Sequence, residues 1–231
     1  MALSDDLQML RDAVLDELNA AHDYYAETRY AWRIALDYIA AGNTFIIRNT
    51  ATGTTSTQSQ VAEKAHEYVR VQLTEATFQQ FLTTFEAFFF DLLRLWLLAF
   101  PQNLFGKTVD YKSVHDAPDK DTITLQVIDE ELNRVLYKPP RGWFAYLEER
   151  VKLGCPTADE IDRIAEAKAA RDVLIHNRGI AGKVYEIKAG TRARFRSGER
   201  IDIPAPYHRE TWELLRKVVA DVANAAIAKA P

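Results

Sequence analysis

The sequence predicts a mostly α protein, an up-and-down bundle of five to six helices with a small β-hairpin before the last one. Three observations carry that expectation. Apolar residues recur at intervals of three and four over most of the 231-residue chain. Hydrophobic residues make up 48% of it, enough for a packed core. Between residues 183 and 206 the period changes, and short alternating stretches flank Ser197-Gly198 in the manner of a hairpin.

Taken in order, Ser4 is placed to cap a helix running to about Ala41, with Leu7, Leu10, Val14, Leu18 and Ala21 at helical spacing. Residues 43–60, rich in Thr, Ser and Gly, read as a loop. Helical patterning returns from Val61 to Phe100, where a stripe of phenylalanines and leucines from Phe78 to Trp96 reads as core, and Pro101 stops it. Residues 101–120 read as an irregular connection. Helices are expected from about Thr122 to Leu136 and, after the KPPRG break, from about Trp143 to Leu153. Thr157 and Glu160 form a capping box that starts the next helix near Ala158. Ile161, Ile164, Ala165 and Ile175 share one side of it, and Gly179 suits its exit. VYEI, RARFR and RIDIP read as short strands, with Arg192, Arg194 and Arg196 on one face. A final helix is expected from about Arg209 to Ala228, with Trp212, Leu215, Val219, Val222 and Ala226 as its apolar stripe. The whole, 1–231, reads as one domain: N-terminal helix and loop (1–60), bundle helices (61–182), basic hairpin (183–206) and C-terminal helix (207–231).

Composition narrows the function classes. The single cysteine, Cys155, excludes an internal disulfide framework and a multi-cysteine metal site. The start, MALSDDLQML, has no basic region followed by an apolar stretch, and residues 81–100 are interrupted by Glu86, Asp91 and Arg94. Both point to a cytoplasmic protein without a membrane partner. The net charge of −4 argues against a general nucleic-acid coat. Its distribution is uneven: residues 1–50 carry four Lys/Arg against eight Asp/Glu, whereas residues 178–200 carry seven Lys/Arg against Glu186 and Glu199. That basic stretch reads either as a local polyanion track or as a solvated hairpin paired with acidic helices.

Most candidate sites are weak. HDAPDKD joins His115 to three aspartates but has no second histidine at ligand spacing, and HEYVR at His66 lacks the second histidine of a zinc-protease helix, so no metal or cofactor is expected. His22 and His208 are isolated. Phosphate-binding glycine loops and the G-x-S-x-G elbow are absent.

The stretch 169–179, AARDVLIHNRG, is different. Asp172 and His176, four apart, share a helix face, so the carboxylate is placed to accept a hydrogen bond from the imidazole and orient it. Arg171 lies about 140° around an ideal helix from His176, so the two reach one group only beyond the helix edge. A guanidinium fork suits phosphate and a histidine titrates near neutral pH, which together favour phosphodiester chemistry over acyl transfer. The plainer reading is a polar cap, since Arg and His near a helix C-terminus are favoured by its dipole.

RDVLIH, Arg171 to His176, resembles the R-x4–6-H motif of the HEPN superfamily, the higher eukaryotes and prokaryotes nucleotide-binding domains, where a polar residue such as Asp172 often follows the arginine. The wider RDVLIHNRGIAGKVY, late in a mostly α chain, is similar to HEPN versions found in prokaryotic defence systems. Where the toxin partner of nucleotidyltransferase antitoxins carries R-x4-H-x-Y, this chain has Arg178 at the tyrosine position. The resemblance implies a metal-independent endoribonuclease, a toxin or antiviral-defence effector, acting as a homodimer with a composite site and under a protein inhibitor or activator. In that reading His176 moves the proton, Arg171 holds the phosphate and Asp172 orients His176. Asn177 and Arg178 would contact phosphate, and Arg192, Arg194 and Arg196 the RNA backbone. The alternatives are a HEPN-like module that binds RNA, a nucleotide or a protein without cutting, and a purely structural helical dimer.

Overall fold

A computed structural model describes residues 2–231. Six longer helices form the body: α1 (Leu3–Ala40), α3 (Leu73–Ala99), α5 (Lys120–Leu136), α6 (Pro140–Val151), α7 (Ala158–His176) and α9 (Ala205–Ile227). Shorter ones are α2 (Gln58–Glu67), α4 (Tyr111–Asp116) and α8 (Lys183–Ala189), and a π turn, Tyr68–Gln72, joins α2 to α3. The mostly helical expectation holds.

The phenylalanine stripe puts α3 at the centre. Phe78, Phe81, Phe85, Phe88 and Phe89 are all essentially inaccessible, and α1, α5, α7 and α9 pack around them. Burying each such ring is worth about 2–3 kcal/mol. The charged residues that interrupt the stripe leave the core: Arg94 pairs with Asp129 of α5 at 2.5 Å, and Glu86 faces α7. No helix of the described residues is long and apolar enough to cross a membrane.

Several boundaries follow local chemistry. The capping box of Thr157 and Glu160 starts α7 at Ala158 as expected. A second box, Thr57 with Gln60, ends the Thr/Ser-rich loop at Gln58. Ser4 does not cap α1; the helix begins at Leu3 with Ala2 in the cap position and no side-chain cap. Pro140 at the first turn starts α6 three residues before Trp143, where a proline's missing N–H costs nothing.

The expected hairpin is absent; no strand forms among the described residues. VYEI is the middle of α8, because Ala181, Tyr185 and Ala189, four apart, all bury against the body while Val184 and Ile187 point outward. Seven residues are too few for a period of two to be told from one of 3.6. Ser197-Gly198 does lie in a turn, closed by Glu199 N–H donating to the Arg196 carbonyl at 3.0 Å, but the chain beyond it pairs with the segment after α7 and forms no hairpin ladder. Ala181 N–H donates to the Glu199 carbonyl at 2.8 Å, and Ile201 N–H to the Gly179 carbonyl at 2.7 Å.

Candidate functional site

The C-terminal end of α7 is built by three conflicting demands on one helix. Ile164, Ala167, Ala170 and Val173 bury in the core, the preceding capping box fixes the other end, and the charged residues from Lys168 onward must find partners at the margin. Arg171 is largely enclosed, its side chain 12% exposed, and its guanidinium donates to Glu86 of α3. Lys168 donates to the same carboxylate oxygen at 2.7 Å. The Arg171 Nε is buried and makes no hydrogen bond.

Asp172 does not orient His176. Its carboxylate accepts from Lys188 of α8 at 3.1 Å and lies 3.7 Å from Arg171 Nε and 3.8 Å from Lys168 Nζ. Three cations in reach outcompete an exposed imidazole one turn on. The cluster of Glu86, Lys168, Arg171, Asp172 and Lys188 therefore carries three positive charges against two negative.

His176 is exposed and makes no hydrogen bond or ion pair among the described residues. Beyond it the chain turns sharply: the Asn177 and Gly179 N–H groups both donate to the Val173 carbonyl, at 2.9 and 3.2 Å. Between them Arg178 takes φ +52°, a left-handed conformation uncommon for a residue with a Cβ. Gly179, at φ +74° and buried, completes the reversal in a backbone conformation that favours glycine. The Asn177 amide donates to the Ile180 carbonyl, which occupies it in the turn. Arg178 is exposed and without an ion pair. A cavity of about 670 Å³ runs along α7 toward this end, between α6 and α8, with Lys168, Asp172 and Lys188 on its wall. Arg171 and His176 are not among the residues that line it; His176 lies one turn beyond Asp172.

The three arginines of the basic stretch do not form a track. Arg192 pairs with Asp159 at the start of α7. Arg194 lies 4.0 Å over the Tyr207 ring, 3.3 Å from Glu210 and 3.5 Å from Glu166. Arg196 is exposed, and its side chain makes no ion pair among the described residues; its backbone is held by Glu199, whose carboxylate accepts from the Arg196 N–H at 2.7 Å. The reading as a solvated segment paired with acidic helices fits Arg192 and Arg194.

Two features escaped the sequence. Glu86 looks there like a mere interruption of an apolar stripe, yet it anchors Arg171. Glu166, between Ala165 and Ala167, is fully buried and accepts hydrogen bonds from Tyr185 at 2.7 Å and Tyr207 at 2.6 Å. Burial pushes its carboxyl above the usual range, against the pull of both tyrosines and of Arg194. The only signal was a carboxylate on the alanine face of α7. HDAPDKD resolves into caps, with Asp119 accepting from the Thr122 N–H at 2.7 Å, and no group of three His, Cys, Asp or Glu side chains converges among the described residues.

Compared with models of known protein families, with characterised proteins and with solved structures, the chain matches none.

Proposed function

We propose that the end of α7 is half of a metal-independent ribonuclease site of the HEPN type. What supports this reading is an exposed, unpartnered His176 five positions after an Arg171 whose guanidinium is held by Glu86 at the margin of the core. His176 takes the proton of an RNA 2′-hydroxyl, which attacks the adjacent phosphorus. The P–O5′ bond breaks, and the products are a 2′,3′-cyclic phosphate and a 5′-hydroxyl that receives a proton. Arg171 stabilises the charge that builds on the phosphoryl oxygens. Lys188, on the cavity rim beside Asp172, takes the phosphate-binding role that Arg192 and Arg194 are too occupied to fill, together with Arg178. Asp172 positions these cations and has no part in proton transfer.

A second copy of the chain would complete the cleft. Supporting this, Ile175 and Ile180 at the α7 exit and Val184 and Ile187 on α8 are all exposed apolar side chains. A toxin or defence role and a regulatory partner follow from the resemblance alone.

The test is incubation of the purified chain with an RNA and with the all-deoxy strand of the same sequence, both in EDTA. Cleavage of the RNA alone, with cyclic phosphate termini, is the expected result. Salt-dependent RNA binding without cleavage would favour the non-catalytic module, which the Glu86 pairing of Arg171 also suits.

A further inference from the structure

A larger cavity, about 740 Å³, lies away from the charged cluster of α7. It is bounded by the second half of α1, the π turn after α2 and the stretch that leads into α9. The last fully buried residue of α1 is Tyr25; the helix then continues to Ala40, about 22 Å of helix beyond the core. That projection is one wall of the cavity.

The cavity is mainly basic and aromatic in its lining, with Asp202 its single carboxylate. Arg29, Arg33 and Arg70 line it, and none makes an ion pair among the described residues, although acidic residues outnumber basic ones 33 to 29 in the whole chain. Aromatic rings arrange them instead. Arg29 donates to the Tyr25 hydroxyl at 2.6 Å, and the Arg33 guanidinium lies 4.9 Å over the Tyr30 ring. Trp32, also on the wall, meets Tyr68 edge-on at 6.1 Å. Arg70 is delivered by the π turn, a local widening that often marks functional positions. Thr74 donates to the Val69 carbonyl at 3.0 Å and so satisfies a backbone group there.

We infer that this cavity is a nucleotide-binding site, in which Tyr30 and Trp32 present faces for a base and Arg29, Arg33 and Arg70 hold the phosphate. Unpaired guanidinium groups seek phosphate oxygens, and bases stack on aromatic rings whatever their sequence. The volume lies within the range of pockets that enclose small ligands. An acidic peptide would use the arginines but leave the aromatic wall without a partner of matching shape.

The ligand is either a free nucleotide or one unit of an RNA strand. The fold leaves both open by placing the cavity near the α7 exit: Ile201 bonds to Gly179, and Asp202, Ile203 and Pro204 line the cavity, at most ~10 Å of chain further on. Binding here does not depend on cleavage at His176.

The experiment measures binding to the full chain of AMP, ribose 5-phosphate, a poly-glutamate peptide and a fluorescein-labelled 2′-O-methyl oligoribonucleotide, which cannot be cut. AMP or the oligonucleotide should bind at least tenfold more tightly than ribose 5-phosphate or the peptide. Arg33→Ala, Arg70→Ala and Tyr30→Ala, all at exposed positions, should each weaken that binding about tenfold, and His176→Ala should leave AMP binding unchanged. Comparable affinity for AMP and the oligonucleotide assigns a free nucleotide; a large advantage for the oligonucleotide assigns an RNA strand. The inference is overturned if neither binds, if the three substitutions leave binding unchanged, or if ribose phosphate or the peptide binds as well. Loss of cleavage with retained AMP binding would remove the ribonuclease reading and leave this one standing.

Discussion

Two carboxylates, Glu166 of α7 and Glu86 of α3, tie α7 to its neighbours in opposite ways. Glu166 sits fully inside, and its oxygens are taken by two tyrosine hydroxyls. Glu86 sits at the margin, and one of its oxygens is shared by Lys168 and Arg171. The buried cluster is closed: its donors and acceptors match, and Tyr185 and Tyr207 tie α8 and α9 to α7. The marginal cluster is open, with a surplus cation, an orphaned Arg171 Nε and a free His176 one turn beyond Asp172. Polar groups that satisfy one another in the interior hold a fold together. Polar groups left over at a surface with a cavity beside them are available for a ligand.

That contrast sets the order of expected effects on stability. Glu166→Ala should be the most damaging, because it strands two buried hydroxyls; a loss of about 3 kcal/mol and a fall in Tm of roughly 6–12 °C are expected by calorimetry. Retention of the parent Tm would show that the cluster is not closed.

Next comes His208, buried beneath α1, with its Nε2 2.7 Å from Thr77 Oγ1 and its ring stacked on Tyr25. Burial, with repulsion from His22 and Arg29, lowers it from 6.5 to about 4. Between those values the unfolded chain binds a proton that the folded chain refuses, so stability is full above pH 6.5 and falls as pH drops toward 4. The loss is about 3 kcal/mol across the window. Urea titrations at pH 7 and pH 5 should show the slope, and His208→Gln should flatten it relative to the parent. Raised Glu166 opposes this trend, since its contribution is lost as pH rises through its own window, and the comparison of parent with variant removes it.

A smaller effect is expected at the marginal cluster. Glu86→Gln should cost about 2 kcal/mol, since it removes the carboxylate charge shared by the largely enclosed Arg171 and Lys168 but keeps an oxygen acceptor, and it should slow RNA cleavage about tenfold by releasing Arg171. Equal cleavage by Glu86→Gln and the parent would separate the anchor from the chemistry.

The helical body was legible in the sequence wherever a stripe ran for several turns, as in α3, α7 and α9. It failed at α8, where seven residues cannot reveal a period, and at the N-terminus of α1, where Ser4 is a good cap in the wrong place. At the end of α7 the residue types were legible but their pairing was not. Spacing put Asp172 with His176, but it could not show that Lys188 arrives from α8 or that Glu86 arrives from α3, 85 positions away from Arg171. Long-range partners decide which neighbours on a helix face actually meet. The same ignorance of partners made Arg192 and Arg194 look available.

The central claim is that the open end of α7 does chemistry while its buried end maintains the fold, and His176→Ala tests it most directly. The side chain is exposed and unpartnered, so the variant should match the parent in Tm to within about 0.5 kcal/mol of stability. Its single-turnover rate on RNA in EDTA should fall about 100-fold or more. A variant that cuts RNA as fast as the parent would contradict the account.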